Sequence, residues 1–332
     1  MPTIYDIARE AGVSITTVSN ILNNKGRFKP ETVARVLEAV ERLKYRPNFA
    51  AKSLAARRTN TVALSALLTS ESFDPLNLQY FGAIAQAVSR SGFNFLLQIS
   101  QDLESFERFA ATGICDGWLL MMVRRQDERV ALLKELGVPF VSIGRPDEIE
   151  GVDVVDTDFA QTARLALEHL LALGHRRIAY LAEPLEFGYS AIRLRAYLAY
   201  LKEYGLEGNA DLVVETDGTE AGTVRALEAL WSKGRAITAI ITHDIPALTV
   251  LRTLREWGLR VPADISVIGC SDSLLAALAD PPLTTINLYV DRIAEAAAEA
   301  LARRLQEPEA PPAHILIPAQ LIVRESTGPA PG

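Results

Sequence analysis

Cysteine is scarce in this chain of 332 residues: Cys115 and Cys270 are the only two, far apart in mostly apolar surroundings. Two thiols so placed are too few for a disulfide framework or a closed zinc site, which predicts a reduced, cytoplasmic protein. Long apolar runs are missing as well. No stretch of about 18 apolar residues exists, so no membrane partner is expected. The opening residues, MPTIYDIAREAG, alternate apolar and charged side chains and lack the apolar core of roughly 7 to 15 residues that a secretory leader needs. Catalytic signatures are also wanting. The four histidines have no HExxH or paired-cysteine context, no glycine-rich loop follows the first strand of the body, and GxSxG does not occur. The reading therefore predicts no catalytic residue, no metal and no cofactor, and sets aside an enzyme. A transporter's solute-binding protein is set aside with it, since that would need a leader.

Charge is present but unevenly spread. Residues 1 to 58 carry 11 Lys and Arg against 5 Asp and Glu, a surplus of +6, whereas the remainder carries 23 against 36, or −13. A compact basic end on an acidic protein suits a polyanion such as double-stranded DNA, or is simply a solvated basic surface. The pattern within that end decides between them. Thr3 reads as the N-cap of a helix with Asp6 near its positive end, and Gly12 as its stop. Ser14 is a second N-cap candidate, opening ITTVSNIL, where Val18, Ile21 and Leu22 recur at helical spacing and face inward. Two short helices joined by a tight turn form a helix-turn-helix, whose second member offers its first residues to base edges in the major groove.

With that apolar stripe inward, Ile15, Thr16, Ser19 and Asn20 occupy the exposed one. Ile15 suits a thymine methyl, Thr16 either base type, and Asn20 an adenine. Tyr5, Thr17, Ser19 and Asn23 suit phosphate oxygens and Ser14 is a further expected DNA contact, although any single hydroxyl here could equally be a cap. A third helix runs from Pro30 to Leu43 with Val33, Val36, Leu37 and Val40 as its apolar stripe. Next, YRPNFAAKSLAARRTN contains an Ala- and Leu-rich segment capped by Asn48, too short to hold as a helix alone in water. Residues 48 to 56 are expected to be helical on DNA, with Asn48, Ala51 and Leu54 as contacts. Leu54 either wedges between base steps in the minor groove or packs on its dimer partner.

The segments TIYDIAREAGVSITTVSNILN and TVARVLEAVERLKYRPNFAAKSLA resemble the head and hinge helix of the LacI/GalR family. The resemblance implies a transcriptional regulator, in most cases a repressor, acting as a homodimer that reads a near-palindromic operator with paired hinge helices in its central minor groove. Asn20 stands where many members carry Arg, which puts the family's common guanine contact in doubt.

Beyond Thr61 short apolar runs alternate with amphipathic stretches: TVALSALL, FNFLLQI, GWLLMM and PFVSI, then after VDVVDTD a second series, RIAYLA, DLVVE, AITAIIT and ISVIG. That βαβ rhythm predicts an α/β body of two doubly wound parallel sheets. Gly174 reads as a helix stop with His175 and Arg176 favourably placed at its carbonyl end, making His175 structural rather than catalytic. Ligands bind beyond the carboxyl ends of such strands, which selects loops 69 to 74, 144 to 147, 183 to 193, 242 to 244 and 270 to 272. Arg193 is the candidate fork for hydroxyls or a carboxylate, unless it pairs with a local Glu.

The body resembles the periplasmic-binding-protein-like fold of the same family through DFAQTARLALEHLLALGHRRIAYL, VPADISVIG, PPLTTIN and IPAQLIVREST. The resemblance implies two lobes crossed three times by the chain and a ligand cleft between them. The expected division is a helix-turn-helix domain at 1–47, a hinge and linker at 48–59, and an effector-binding and dimerisation domain at 60–327, followed by a tail at 328–332. Within the body, lobe one is 60–157 and 288–313, and lobe two is 158–287 and 314–327. Arg193 falls on the family's effector-binding arginine, His243 stands where Asn is frequent, Ser271 replaces a common Asp, and Asp272 keeps the neighbouring acid. Gly218 stands where some members have an aromatic, for which Phe73, Phe187 and Tyr189 are the substitutes at hand. A sugar or sugar derivative is the expected effector, with a nucleobase or acidic metabolite acting as corepressor the alternative. No heptad pattern follows the last strand, so a dimer without a tetramerising coil is expected.

Overall fold

A computed structural model describes residues 2–22, 25–45, 58–67, 75–100, 102–232 and 237–331. The chain divides into two units, Met1–Thr59 and Asn60–Gly332, each with its own core. In the first, α1 (Ile4–Ala11) begins where the Thr3 amide and hydroxyl both donate to the Asp6 carboxylate at 2.8 Å. It ends at Gly12, whose φ of 65° places it in the left-handed region that glycine occupies without strain. The chain turns there into α2 (Ile15–Leu22), and α3 (Pro30–Arg42) closes a core of Ile7, Ala8, Ala11, Val18, Ile21, Val36 and Ala39. Leu37 departs from its expected place. It is half exposed, because at helical spacing it leaves the row formed by Val33, Val36, Ala39 and Val40 and turns outward. The expected hinge over 48 to 56 lies outside the described residues.

The second unit contains the two parallel sheets. The first takes β1 (Thr61–Leu67), β2 (Asn94–Ser100), β3 (Gly117–Met121), β4 (Phe140–Ile143), β5 (Asp153–Thr157) and β11 (His314–Ile317), in the order β11-β5-β4-β3-β1-β2. Its helices are α4 (Pro75–Arg90), α5 (Leu103–Ala110), α6 (Glu128–Leu136) and α12 (Val290–Gln306). Strand β3 is buried at every position, as expected of a parallel strand covered on both faces. The second sheet takes β6 (Ile178–Ala182), β7 (Val213–Glu215), β8 (Ala239–Ile241) and β9 (Ser266–Ile268), ordered β7-β6-β8-β9. Around it lie α7 (Phe159–Ala172), α8 (Gly188–Glu203), α9 (Glu220–Ser232), α10 (Asp244–Glu256) and α11 (Leu274–Leu278). A short antiparallel pair, β10 (Thr285–Asn287) and β12 (Gln320–Ile322), completes the body.

The βαβ rhythm of the sequence thus corresponds to two sheets of the doubly wound kind. One boundary differs. Residues 314–327 were assigned to the second lobe, yet His314–Ile317 pair in parallel with Val154–Thr157 and extend the first sheet, so the last crossing follows Ile317. The free edge of β5 takes up this strand's backbone groups, which would otherwise go unpaired. The expected tail is likewise partly anchored: Ala330 N–H donates to the Leu173 carbonyl at 2.8 Å, and His175 lies fully buried between the Thr238 hydroxyl and the Gly328 carbonyl, 3.0 Å from each. Burial holds the His175 imidazole below its ordinary pKa, consistent with a structural role.

Candidate DNA-reading face and interlobe cleft

On the head, α2 buries Val18 and Ile21 and leaves Leu22 half buried, which turns Ile15 and Thr16 to solvent. Ile15 is 39% exposed and Tyr5, on α1, is 64% exposed. Ser19 and Asn20 lie half buried on the flank of the same helix. Ser14 has a task within the fold: its Oγ accepts the Thr17 amide at 3.1 Å and lies 2.9 Å from the Thr17 hydroxyl. This is an N-cap, and it engages both hydroxyls in the first turn of α2. Asn23, Asn48, Ala51 and Leu54 lie outside the described residues, as does Phe73 in the body.

In the body, the strand order reverses between β1 and β3 in one sheet and between β6 and β8 in the other. Segments leaving adjacent strands diverge at such points and open a crevice beyond their carboxyl ends. A cleft of ≈ 250 Å³ lies there. Lobe one contributes Asn77 and Tyr80 from α4, Met121–Val123 after β3, Ile143 and Gly144 after β4, and Asp156 on β5. Lobe two contributes Glu183, Phe187 and Tyr189 after β6, Asp217–Thr219 after β7, and His243, Ile245 and Pro246 after β8. Phe187 and Tyr189 stack with ring centroids 5.7 Å apart, so the cleft has a flat apolar surface among its acceptors.

Three carboxylates face this space, and each is braced by an arginine that does not line it. Glu183 accepts Arg193 Nη2–H at 3.0 Å and the Tyr189 hydroxyl at 3.3 Å, with His243 Nδ1 4.0 Å away. Asp217 accepts Arg225 Nη2–H at 2.7 Å together with the Thr219 amide and hydroxyl. Asp156 accepts Arg145 Nε–H at 3.0 Å. Burial pushes the Asp156 carboxyl up to about 7 in spite of Arg145.

The predicted effector residues are dispersed by this arrangement. His243 lines the cleft. Arg193 lies buried behind it, with Nε on the Tyr180 hydroxyl at 2.8 Å, Nη2 on Glu183, and a buried Nη1 that has no partner. The local Glu pairing left open in the sequence is therefore present, but beneath the cleft rather than on an exposed helix face. Ser271 and Asp272 are not among the residues lining the cleft, and Ser271 pairs with Asn287 of β10. Ser271 Oγ donates to Asp244 at 2.8 Å, and Asp272 accepts Arg324 at 2.6 Å and Asn287 at 2.8 Å. Asp156, Glu183 and Asp217 were not singled out in the sequence. A usable signal was there, since each is an acid at or just after the end of an apolar strand run.

Beside the cleft the lobes touch through their backbones. Arg125 N–H donates to the Glu186 carbonyl at 2.7 Å, Gly188 N–H to the Val123 carbonyl at 3.3 Å, and the Arg124 guanidinium meets the Glu186 carboxylate at 3.2 Å. Gly188 is seated so closely that a β-carbon there would stand 2.0 Å from the Arg145 carbonyl oxygen. Only glycine fits that approach.

Comparison with known proteins accounts for both units. Residues 3–48 match the model of bacterial regulatory proteins of the lacI family, and residues 167–327 match a periplasmic binding protein-like domain. The HTH-type transcriptional regulator CelR of Thermobifida fusca is 35% identical over 336 residues, covering 98% of each chain. A solved CelR–cellobiose complex shares 32% identity over 98% of this chain and 100% of that one, with a TM-score of 0.77. The lac repressor dimer bound to operator and the anti-inducer ONPF shares 26% identity over 98% of this chain and 99% of that one, with a TM-score of 0.84.

Proposed function

The chain belongs to the lacI family of bacterial regulatory proteins, and on that footing we propose that it is a cytoplasmic, non-enzymatic repressor whose operator affinity is set by a sugar or sugar derivative held in the interlobe cleft. Its partners are operator DNA, a small-molecule effector and a second copy of itself. The observation that carries the sugar reading is the cleft's pairing of stacked aromatic rings with carboxylate acceptors, the combination that holds a pyranose face and its hydroxyls. The cellobiose held by the related CelR structure supports it. On the head, Ile15, Thr16 and Asn20 are assigned to base edges and Tyr5, Thr17 and Ser19 to phosphates, with Asn23, Asn48, Ala51 and Leu54 extending the contact. Ser14 is assigned to capping. In the body His243 is assigned to the ligand, Phe73 is kept as a further contact, and Arg193 acts by orienting Glu183. Ser271 and Asp272 are assigned to holding the segment after β9 in place.

Domain roles follow the same lines: a reading head at 1–47, a hinge and linker at 48–59, and a body in which the effector alters the angle between lobes. That change shifts the population of hinge segments able to seat on DNA. The test is a mobility-shift titration of the full chain on the DNA upstream of its own coding region, with and without cellobiose. A salt-sensitive specific complex whose affinity changes with the sugar is expected. The regulator reading fails if no specific complex forms, and the sugar reading fails if no saccharide alters it.

A further inference from the structure

We infer that the interlobe cleft selects an uncharged ligand and rejects the phosphorylated or carboxylated counterpart, an inference that rests on the cleft being the effector site. Among the polar groups that face it are the carboxylates of Asp156, Glu183 and Asp217, together with Asn77, Thr219 and His243, and no Lys or Arg lines it among the described residues. The nearby cations are already committed. Arg145, Arg193 and Arg225 each bond one of those carboxylates from outside the lining, which fixes the acceptors in place and leaves no guanidinium presented to a ligand.

Two features could still attract an anion, and both are compromised. Arg193 Nη1 has no partner, but it is buried, and the same guanidinium is already engaged by Glu183 through Nη2 and by the Tyr180 hydroxyl through Nε. Helix N-termini also bind anions, and α8, α9 and α10 begin at the cleft, α8 with its Gly188 amide already donated to the Val123 carbonyl. Asp217, however, already accepts the Thr219 amide ahead of α9, and Asp244 opens α10 as a fully buried acid that accepts bonds from Ser271, Ser273 and Thr285. A phosphate entering the cleft would meet the carboxylates of Glu183 and Asp217 with no cation of the lining to offset them. Hydroxyl groups would find acceptors aimed at them.

Isothermal titration of the full chain tests this with matched pairs: cellobiose and cellobiose 6′-phosphate, glucose and glucose 6-phosphate, inosine and inosine monophosphate. The tightest ligand is expected to be uncharged, with its phosphorylated partner weaker by at least about 100-fold, the scale of like-charge juxtaposition in a binding site. In Asp217→Asn and in Glu183→Gln that gap is expected to narrow by about tenfold or more. A phosphorylated member that binds as tightly as its partner overturns the charge selection while leaving a sugar class standing. Inosine as tightest ligand, with its monophosphate rejected, upholds the charge selection and overturns the sugar reading. A gap unchanged in both variants overturns the inference, and binding of no member of the set overturns both.

Discussion

At the scale of residues, Asp156 shows how a cleft acid becomes a record of its surroundings. Its carboxyl is 3% exposed and burial pushes it up to about 7, against an ordinary value of 3.8 that it regains on unfolding. Between those two values the folded chain holds a proton that the unfolded chain has released. Stability contributed by this group is therefore fully present below about 3.8 and falls as pH rises toward 7, at about 1.4 kcal/mol per unit within the window. Asp156→Asn removes that dependence. Thermal unfolding of the two proteins compared at about pH 5 and pH 8 should show the parent losing ground to the variant at the higher pH, and parallel pH profiles would refute the assignment. Such a site was only partly legible beforehand. Arg193 was selected from the segment beyond a strand's carboxyl end and from the family's arginine position, but it lies on α8, and its guanidinium turns beneath the surface to brace Glu183. Spacing reports which turn a residue occupies, not which neighbour will claim its donors.

At the scale of elements, α2 places a capping residue next to the exposed residues proposed for base contact. Ser14 caps the helix while Ile15 and Thr16 face outward. Ser14→Ala should therefore lower the stability of the head by about 1 kcal/mol, seen by chemical denaturation. Ile15→Ala should leave stability within about 0.5 kcal/mol, as befits an exposed side chain, yet weaken operator binding without reducing its salt slope. If Ile15→Ala instead reduces the salt slope and affects all DNA sequences equally, the contact is to the backbone and the base assignment is wrong. Helices and buried strands of this kind are legible because apolar spacing and capping residues agree locally. Long-range edge pairing is less so: nothing within HILI distinguishes a strand that joins the first sheet from one that joins the second, since both offer a parallel edge to an apolar run. Ser271 and Asp272 were misplaced for a related reason. The segment after β9 is captured by β10, a partner whose register only the folded chain reveals.

At the scale of the whole molecule, charge together with the helix pattern set the head apart from the body, and the βαβ rhythm gave two parallel sheets but not the order of their strands. The negative character of the cleft was not visible in either, because it arises from acids brought together from β5 and the segments after β6 and β7. The backbone contact between lobes has a direct test. Gly188→Ala places a methyl group where the Arg145 carbonyl already stands, so the lobes must part to admit it. Effector affinity is expected to fall by about tenfold or more while each lobe keeps its fold, as read by titration and by circular dichroism. Unchanged affinity would show that the cleft binds its ligand without this contact. The clearance at Gly188 also acts as a machining tolerance for the regulator: the joint between its halves has less slack than the width of one methyl group. In the proposed coupling of effector to hinge, a change of lobe angle has to loosen or keep this contact, so a single carbon atom added here tests whether the joint takes part.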